Sequence, residues 1–256
     1  MTWSQRLQER GSALCIGLDP DAARLPAETT IAAFCEAIID ATAEFAACFK
    51  PNIAFFERHG VSGLQALVET VAACREREVP VILDAKRGDI GSTARMYAEA
   101  YLQPGDLGAD ALTVNPSLGL DTLAPFLELC REHDNGIFLL LRTSNAGAHV
   151  FQDATEPGLV DFLRSEPHAG AVVGATHPED GARLRAALPD TLFLVPGFGQ
   201  QGGADLTPFF DAKRGGAVVN SSRAVLYAGE GTDNWKGAAH DAARAARDTI
   251  QKARTR

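Results

Sequence analysis

Short apolar runs alternate with longer amphipathic stretches along the whole chain. The runs are rich in Val, Ile and Leu and lack the strict polar alternation of half-exposed strands, which is typical of strands buried on both faces. Eight such strands are predicted, at Ala13–Asp19, Cys48–Asn52, Val81–Lys86, Ala111–Asn115, Ile137–Ser144, Ala171–Ala175, Leu192–Pro196 and Ala217–Ser221. Helical periodicity between them predicts helices that include Ile31–Ala46, Gly63–Arg77, Thr93–Tyr101, Asp121–Glu132 and Glu179–Ala187.

Regular alternation of strand and helix predicts a parallel sheet. Eight repeats within 256 residues favour an α/β fold of the closed (β/α)₈ TIM barrel type over an open sheet. No linker or break in composition divides the chain, so residues 1–256 are predicted to form one domain. The last stretch, Gly237–Ala253, has the amphipathic pattern of a helix that completes the outer ring.

Composition narrows the classes of partner. The formal net charge is −9, from 24 basic and 33 acidic residues, which argues against nucleic-acid or anionic-membrane binding.

Neither a signal peptide nor a membrane-spanning run is recognisable, so a cytoplasmic location is expected. The six histidines show no ligand spacing, so no metal site is predicted. Five cysteines without a CxxC pair are predicted to be buried, reduced thiols: Cys15, Cys35, Cys48, Cys74 and Cys130.

Polar residues collect where the predicted strands end, and in a (β/α)₈ barrel that rim holds the active site. Helix capping accounts for Asn115 and Thr176 but not for Lys50 and Lys86, because lysine does not cap helix N-termini and is rarely buried unpaired. The whole set comprises Asp19, Lys50, Asn52, Asp84, Lys86, Asn115, Thr143–Asn145, Thr176, Gln201 and Asn220–Arg223.

The densest charge lies in Asp84–Ile90. Strand alternation places Asp84 and Lys86 on one face, and Lys50 and Asp89 complete a set of two cations and two anions. Three interpretations compete: a structural ion-pair network, a Schiff-base lysine, and a lysine that protonates a carbanion. A Schiff-base nucleophile needs a neutral amine, whereas flanking carboxylates favour the ammonium form. The pattern therefore favours Lys86 as a proton donor.

The segment Asp84–Thr93, which reads DAKRGDIGST, resembles the DxKxxDI…T signature of the orotidine 5′-phosphate decarboxylase family, in the form typical of its type 2 branch. Companion motifs follow at the expected strand ends along essentially the whole chain. They are Ile16–Pro20, Phe49–Asn52, Arg142–Asn145, Pro196–Gly203 and Ser222–Arg223.

The resemblance implies decarboxylation of orotidine 5′-phosphate (OMP) to UMP and CO₂ in de novo pyrimidine biosynthesis, by a homodimer with shared active sites and without metal or other cofactor. Lys86 would be the proton donor, and Asp84 would face the departing carboxylate. Lys50 would complete the charged array with Asp89, which would come from the partner subunit. The implied substrate-binding residues are Asp19, Ile90, Thr93, Ser144, Gln201, Gly202, Ser222 and Arg223.

The implied contacts divide by part of the substrate. Asp19 and Lys50 would bind the ribose hydroxyls, and Ser144 would bind the pyrimidine. The phosphate would lie on Gln201 or Gln200 and on the arginine after the last strand. Phosphate binding after strands seven and eight also agrees with a recurrent feature of barrels.

Two alternatives remain open. One is a Mg²⁺-dependent sugar-phosphate decarboxylase or aldolase of the same suprafamily, which would use a glutamate from the second strand. Here that strand carries Lys50, whose charge would repel the metal. The other alternative is a barrel that binds a phosphate ligand without turning it over.

Overall fold

The computed structural model describes residues 2–176, 178–198, 205–210 and 216–255, and within them it contains eight parallel strands. Each predicted run overlaps one strand, and the eighth matches at both ends. The strands are β1 (Leu14–Leu18), β2 (Cys48–Pro51), β3 (Ile82–Arg87), β4 (Ala111–Val114), β5 (Gly136–Arg142), β6 (Ala169–Val173), β7 (Phe193–Val195) and β8 (Ala217–Ser221).

The strands form one sheet in the order β2-β1-β8-β7-β6-β5-β4-β3. The ring closes between β2 and β3 through two isolated parallel bridges, Phe49 with Val81 and Asn52 with Asp84. The predicted (β/α)₈ barrel is therefore confirmed, with its least regular pairing at this seam.

Helices follow the strands around the outside. The six predicted helical stretches are confirmed as α2, α4, α5, α6, α8 and α10, although residues 120–123 form a short 3₁₀ turn before α6. The helices are α1 (Trp3–Glu9), α2 (Ile31–Thr42), α3 (Ile53–Glu57), α4 (Gly60–Glu76), α5 (Gly91–Leu102), α6 (Ala124–His133), α7 (His149–Ser165), α8 (Pro178–Ala187), α9 (Arg223–Leu226) and α10 (Trp235–Arg254).

Helices α1, α3, α7 and α9 did not emerge from periodicity. Helix α7 contains Pro157 and begins with the exposed side chains of Val150 and Phe151, both of which obscure an amphipathic pattern. Helix α1 carries a capping box between Thr2 and Gln5, a local signal that could have revealed it.

The barrel interior is apolar at the end where the strands begin. Trp3 and Leu7 of α1 close that end, and the Trp3 indole packs edge-on against Phe138 at 5.3 Å between ring centres. The buried cluster there also includes Cys15, Cys48, Ile82, Ala111, Val172, Leu194 and Val218.

Two residues further along each strand, alternation returns the chain to the interior. Four of the eight residues at that level are polar, namely Lys50, Asp84, Thr113 and Asn220, and the other four are Gly17, Leu140, Gly174 and Pro196. A polar layer thus rests on an apolar one at the carboxyl end of the barrel. Among the helices of the described ranges, none is both long and apolar enough to cross a membrane.

Candidate active site

Asp84 is the centre of the polar layer. Its Oδ2 accepts a hydrogen bond from Lys50 Nζ at 2.8 Å, and its Oδ1 accepts one from Lys86 Nζ at 2.5 Å. The hydroxyl of Thr113 donates to the same Oδ1 at 3.0 Å. The Lys50 and Asp84 side chains are only 5% and 10% exposed, whereas that of Lys86 is 50% exposed. Lys86 is therefore the member of this group that a ligand in the barrel mouth can reach.

The backbone of Lys86 is unusual. Its φ is +47°, in the left-handed region that side-chain-bearing residues seldom adopt, and the pairing of β3 with β4 shifts register between Leu83 and Arg87. The amide of Lys86 donates to the Thr113 hydroxyl at 2.9 Å. Such strain persists only where surrounding contacts hold it, and it concentrates at functional sites.

Charge balance keeps the buried pair ionised. Burial would raise the pKa of Asp84, but the positive charges of Lys50 and Lys86 outweigh it and hold this pKa well below its usual range. Burial would lower the pKa of Lys50, but the negative charges of Asp84 and Asp19 outweigh it and raise this pKa above its usual value. The site is thus a carboxylate between two cations, with a second carboxylate close to Lys50.

Asp19 follows β1 and has one unsatisfied oxygen. Its Oδ1 is buried and has no hydrogen-bond partner among the residues that the structure describes. A buried acceptor without a donor is costly, and a ligand hydroxyl would satisfy it. The backbone oxygen of Asp19 accepts from the Tyr227 hydroxyl at 3.0 Å, which fixes this corner of the site to the segment after β8.

Ser222 follows β8, the strand next to β1 in the sheet, and packs directly on β1. A Cβ built on Gly17 would lie 1.9 Å from Ser222 Oγ, so only glycine leaves room for this hydroxyl. Asn220 Nδ2 donates to the same oxygen at 3.1 Å. The sequence motif containing Gly17 is therefore matched sterically to the motif containing Ser222.

Beside Ser222 lies a cavity of about 390 Å³, here called the β7–β8 cavity. The side chain of Arg223 is exposed at its wall and forms no hydrogen bond or ion pair with any described residue. Of the predicted contacts in this area, Gln200, Gln201 and Gly202 lie outside the described residues. The lining consists of Arg24, Gly197, Phe198, Asn220, Ser222, Arg223 and Ala224.

Ser144 is exposed at the rim after β5, with its backbone and Cβ close to Gly174 at the end of β6. Helix α7 holds this loop. Gln152 accepts from the Thr143 amide at 3.0 Å, and its own Nε2 donates to the Thr143 hydroxyl at 2.8 Å. The position of Ser144 thus depends on a helix that the hydrophobic pattern did not reveal.

Asp89 was predicted to form a charged set with Lys50, Asp84 and Lys86, but it does not join the other three. Its Oδ1 accepts from the amide of Ile90 at 2.8 Å, and within the described part of the chain it pairs with neither Lys50 nor Lys86. Ile90 and Thr93 are exposed at the start of α5. The half-buried Asp89 thus directly precedes an exposed segment that begins α5.

Three residues that sequence reasoning missed support the site: Thr113, Tyr227 and Arg24. Thr113 is the polar residue of the otherwise apolar β4, at the inward position of the alternation, so its sequence did carry a signal. Tyr227 and Arg24 carried none, because their relation to the site depends on how the segments after β1 and β8 meet.

The free cysteines agree with prediction, since all five are buried and unpaired. Within the described ranges, no three His, Cys, Asp or Glu side chains are grouped to hold a metal ion.

Known proteins similar to this chain agree in name. A model described as "Orotidine 5′-phosphate decarboxylase / HUMPS family" matches residues 12–238. The chain is 46% identical to orotidine 5′-phosphate decarboxylase of Roseiflexus castenholzii, over 94% of this chain and 93% of that protein. For the protein of that name from Deinococcus radiodurans, the identity is 43%, over 98% and 96%. The solved structure of Leishmania donovani OMP decarboxylase is similar with a TM-score of 0.82, at 34% identity and full coverage of both chains.

Proposed function

The chain belongs to the orotidine 5′-phosphate decarboxylase / HUMPS family, and we propose that Lys86, Asp84 and Lys50 perform its decarboxylation without a metal. The reaction converts OMP to UMP and CO₂, a carboxy-lyase step of pyrimidine biosynthesis. The observation that carries the proposed roles is the shared carboxylate: Asp84 lies between two lysine ammonium groups, at 2.8 and 2.5 Å.

In the proposed reaction, the C6 carboxylate of OMP lies next to Asp84. Repulsion between the two carboxylates disfavours the ground state, and departure of CO₂ relieves it. The bond between C6 and the carboxylate carbon breaks, and its electron pair stays on C6. The Lys86 ammonium stabilises that developing charge, transfers a proton from Nζ to C6, and regains a proton from solvent.

Lys50 has a different proposed role because its side chain is buried, with only 5% exposed. Its hydrogen bond to Oδ2 holds the Asp84 carboxylate in place, while the half-exposed Lys86 donates to Oδ1. Its charge also keeps Asp84 ionised at neutral pH. With Asp19 and its unsatisfied oxygen nearby, Lys50 is also proposed to bind the ribose hydroxyls.

The remaining substrate contacts are proposed around the mouth. Ser144 would hydrogen-bond the pyrimidine, and the phosphate would enter the β7–β8 cavity, where Ser222 and Arg223 offer donors. Gln201 and Gly202, from the glycine-rich segment after β7, are proposed to complete the phosphate contacts.

A homodimer with shared sites is also proposed. Ile90 and Thr93 are exposed beside the half-buried Asp89, and the apolar side chains of Ile90 and Met96 are 62% and 57% exposed. Exposed apolar patches of this kind mark protein interfaces. A second copy covering the patch would receive Asp89 into its own charged group, as the family resemblance implies.

We further propose that residues 1–256 act as one cytoplasmic decarboxylase domain. Helix α1 precedes the first strand, and its Trp3 closes the barrel at the end where the strands begin. Helix α10 follows the last strand and packs on α2, with Trp235 stacked on Phe34 at 5.3 Å. Five free thiols favour a reducing compartment.

The decisive experiment is an ultraviolet assay of OMP consumption with EDTA present, on the wild type, Lys86→Ala and Lys252→Ala. Lys252 is an exposed lysine of α10 and serves as the matched control. We expect metal-free turnover by the wild type and the control. We expect Lys86→Ala to lose at least about 10³-fold in kcat, since it removes both the acid and the electrostatic stabilisation.

Other outcomes identify the alternatives. Turnover that EDTA abolishes and Mg²⁺ restores would indicate a metal-dependent enzyme. UMP binding without turnover by the wild type would indicate a binding barrel. The Lys50–Asp84 pair argues against the first, because an ammonium already occupies one oxygen of that carboxylate.

A further inference from the structure

The β7–β8 cavity contains a second arginine that no sequence motif indicated. Arg24 belongs to the short 3₁₀ turn Ala22–Arg24 after β1, far in sequence from the segments after β7 and β8. Nevertheless it lines the same cavity as Ser222 and Arg223. Two guanidinium groups thus border the space proposed for the phosphate.

The guanidinium of Arg24 is held in a defined plane. Its Nε and Nη2 donate to the two carboxylate oxygens of Glu230 at 3.0 and 2.5 Å. Its Cζ lies 3.7 Å from the centre of the Tyr227 ring, a stacked cation–π contact. The third nitrogen, Nη1, has no hydrogen-bond partner among the described residues. Arg24 is therefore oriented and still has N–H groups to donate.

The platform beneath Arg24 is anchored to the substrate side of the barrel. The Tyr227 hydroxyl donates to the backbone oxygen of Asp19 at 3.0 Å and accepts from the amide of Asp21 at 2.6 Å. One aromatic ring thus fixes both the cation at the cavity and the backbone that carries Asp19. This arrangement preorganises Arg24, which lowers the entropic cost of its binding an anion.

The charge of the ligand also calls for a second donor. A phosphate monoester carries a charge of about −1.5 to −2 at neutral pH. Arg223 supplies one positive charge at the cavity that forms no ion pair with a described residue, and planar guanidinium groups are well suited to phosphate oxygens. A second oriented guanidinium would satisfy oxygens that Arg223 cannot reach.

We propose that Arg24 donates from Nη1 to the phosphate of OMP as a second phosphate-binding arginine, with Glu230 and Tyr227 as the positioning residues that orient it. This inference rests on the proposed function of the site. It adds to that function a residue from the segment after β1, which links phosphate binding to the position of Asp19.

The test compares two substrates that differ only in the phosphate. For Arg24→Ala, kcat/KM is expected to fall about 10- to 100-fold on OMP, the contribution of one charge-assisted hydrogen bond, and to change less than about twofold on orotidine. Arg223→Ala is the positive control for the pattern. Arg58→Ala is the matched negative control, because Arg58 forms an ion pair with Asp21 of the same segment but does not line the cavity.

A double variant separates phosphate binding from exposure of Glu230. Removal of Arg24 leaves that carboxylate unpaired, and its charge alone could repel the phosphate. Arg24→Ala combined with Glu230→Ala is expected to remain impaired on OMP. Full recovery in the double variant, an equal loss on both substrates, or no loss on OMP would each overturn the proposal.

Binding measurements keep this test separate from that of the reaction. Titration calorimetry with UMP and with uridine, on the wild type and Arg24→Ala, requires no turnover. We expect Arg24→Ala to weaken UMP binding by the same 10- to 100-fold and to leave uridine unaffected. An inactive wild type would refute the decarboxylase function, whereas unchanged UMP affinity in Arg24→Ala would refute the role of Arg24.

Discussion

The backbone amide of Lys86 donates to the side chain of Thr113, at 2.9 Å. The same hydroxyl donates to Asp84, so one small side chain links the strained backbone of Lys86 to the carboxylate that its own ammonium contacts. This link supports the left-handed conformation of Lys86 and, with it, the direction in which Nζ enters the mouth.

Replacement of Thr113 should therefore impair the reaction more than binding. We expect Thr113→Val, which keeps the shape but removes the hydroxyl, to lower kcat about 10- to 100-fold with KM changed less than about threefold, because the proton donor is misplaced. Steady-state kinetics check this. Thr113→Ser should recover most of the rate, and failure of the serine variant would show that packing, and not the hydroxyl, is what matters.

The pH dependence of stability should reveal the buried carboxylate. Burial raises the pKa of Asp84 and the two lysines lower it, with the lysines prevailing. The folded pKa thus lies below the unfolded value of about 3.9, so the ionised group stabilises the fold above that pH. This stabilisation is lost as the pH falls through the folded pKa.

Asp84→Asn should consequently unfold more easily than the wild type at neutral pH, by about 3 kcal/mol, because it leaves two ammonium groups uncompensated. The difference should shrink below about pH 4, because the carboxyl group of the unfolded wild type takes up a proton there while that of the folded protein stays ionised. Urea unfolding between about pH 2.5 and about pH 8 measures this difference in stability, because that range includes the pKa of a free carboxyl group. Asp106→Asn, at an exposed loop position, is the control, and a constant difference across this range would contradict the assignment.

The contact between Gly17 and Ser222 leads to a steric prediction. In Gly17→Ala, the new methyl group would lie 1.9 Å from Ser222 Oγ, so this side chain must move. We expect KM for OMP to rise about 10-fold, the effect of one displaced hydrogen-bonding group. Gly158→Ala is the matched control, since nothing lies within 4 Å of its added carbon. An unchanged KM in Gly17→Ala would show that Ser222 does not contact the substrate.

Shared active sites can be tested by mixing subunits. Asp89→Ala and Lys86→Ala should each be inactive as homodimers. If Asp89 acts across the interface, a hybrid dimer has one site with both defects and one intact site. Unfolding and refolding the two variants together at equal concentration should restore about one quarter of wild-type activity, because about half of the dimers are hybrids. No recovery, with hybrid dimers confirmed by mass spectrometry, would place Asp89 in its own subunit's site.

The features of the fold and the site that depend on local pattern could be predicted from the sequence alone. Apolar runs revealed the eight strands, and strand alternation together with charge placed Lys50, Asp84 and Lys86 in one group. The left-handed backbone of Lys86 was not predictable, because strict alternation assumes a regular strand. Arg24 and Tyr227 were missed for a different reason: their roles arise where segments about 200 residues apart in the chain come together. The assignment to the type 2 branch stays a prediction, as do the substrate contacts of Ser144 and Gln201.

The seam between β2 and β3 has a consequence for how this scaffold can change. Its two bridges are supplemented by the ion pair from Lys50 to Asp84, and Asp84 also takes part in one of the bridges. The residue that the chemistry needs is thus also part of the closure of the cylinder. Replacement of Asp84 during evolution would weaken both the catalytic group and the closure of the barrel. We therefore expect adaptation toward new reactions to begin with compensating changes at this seam, before any change at the reacting centre itself.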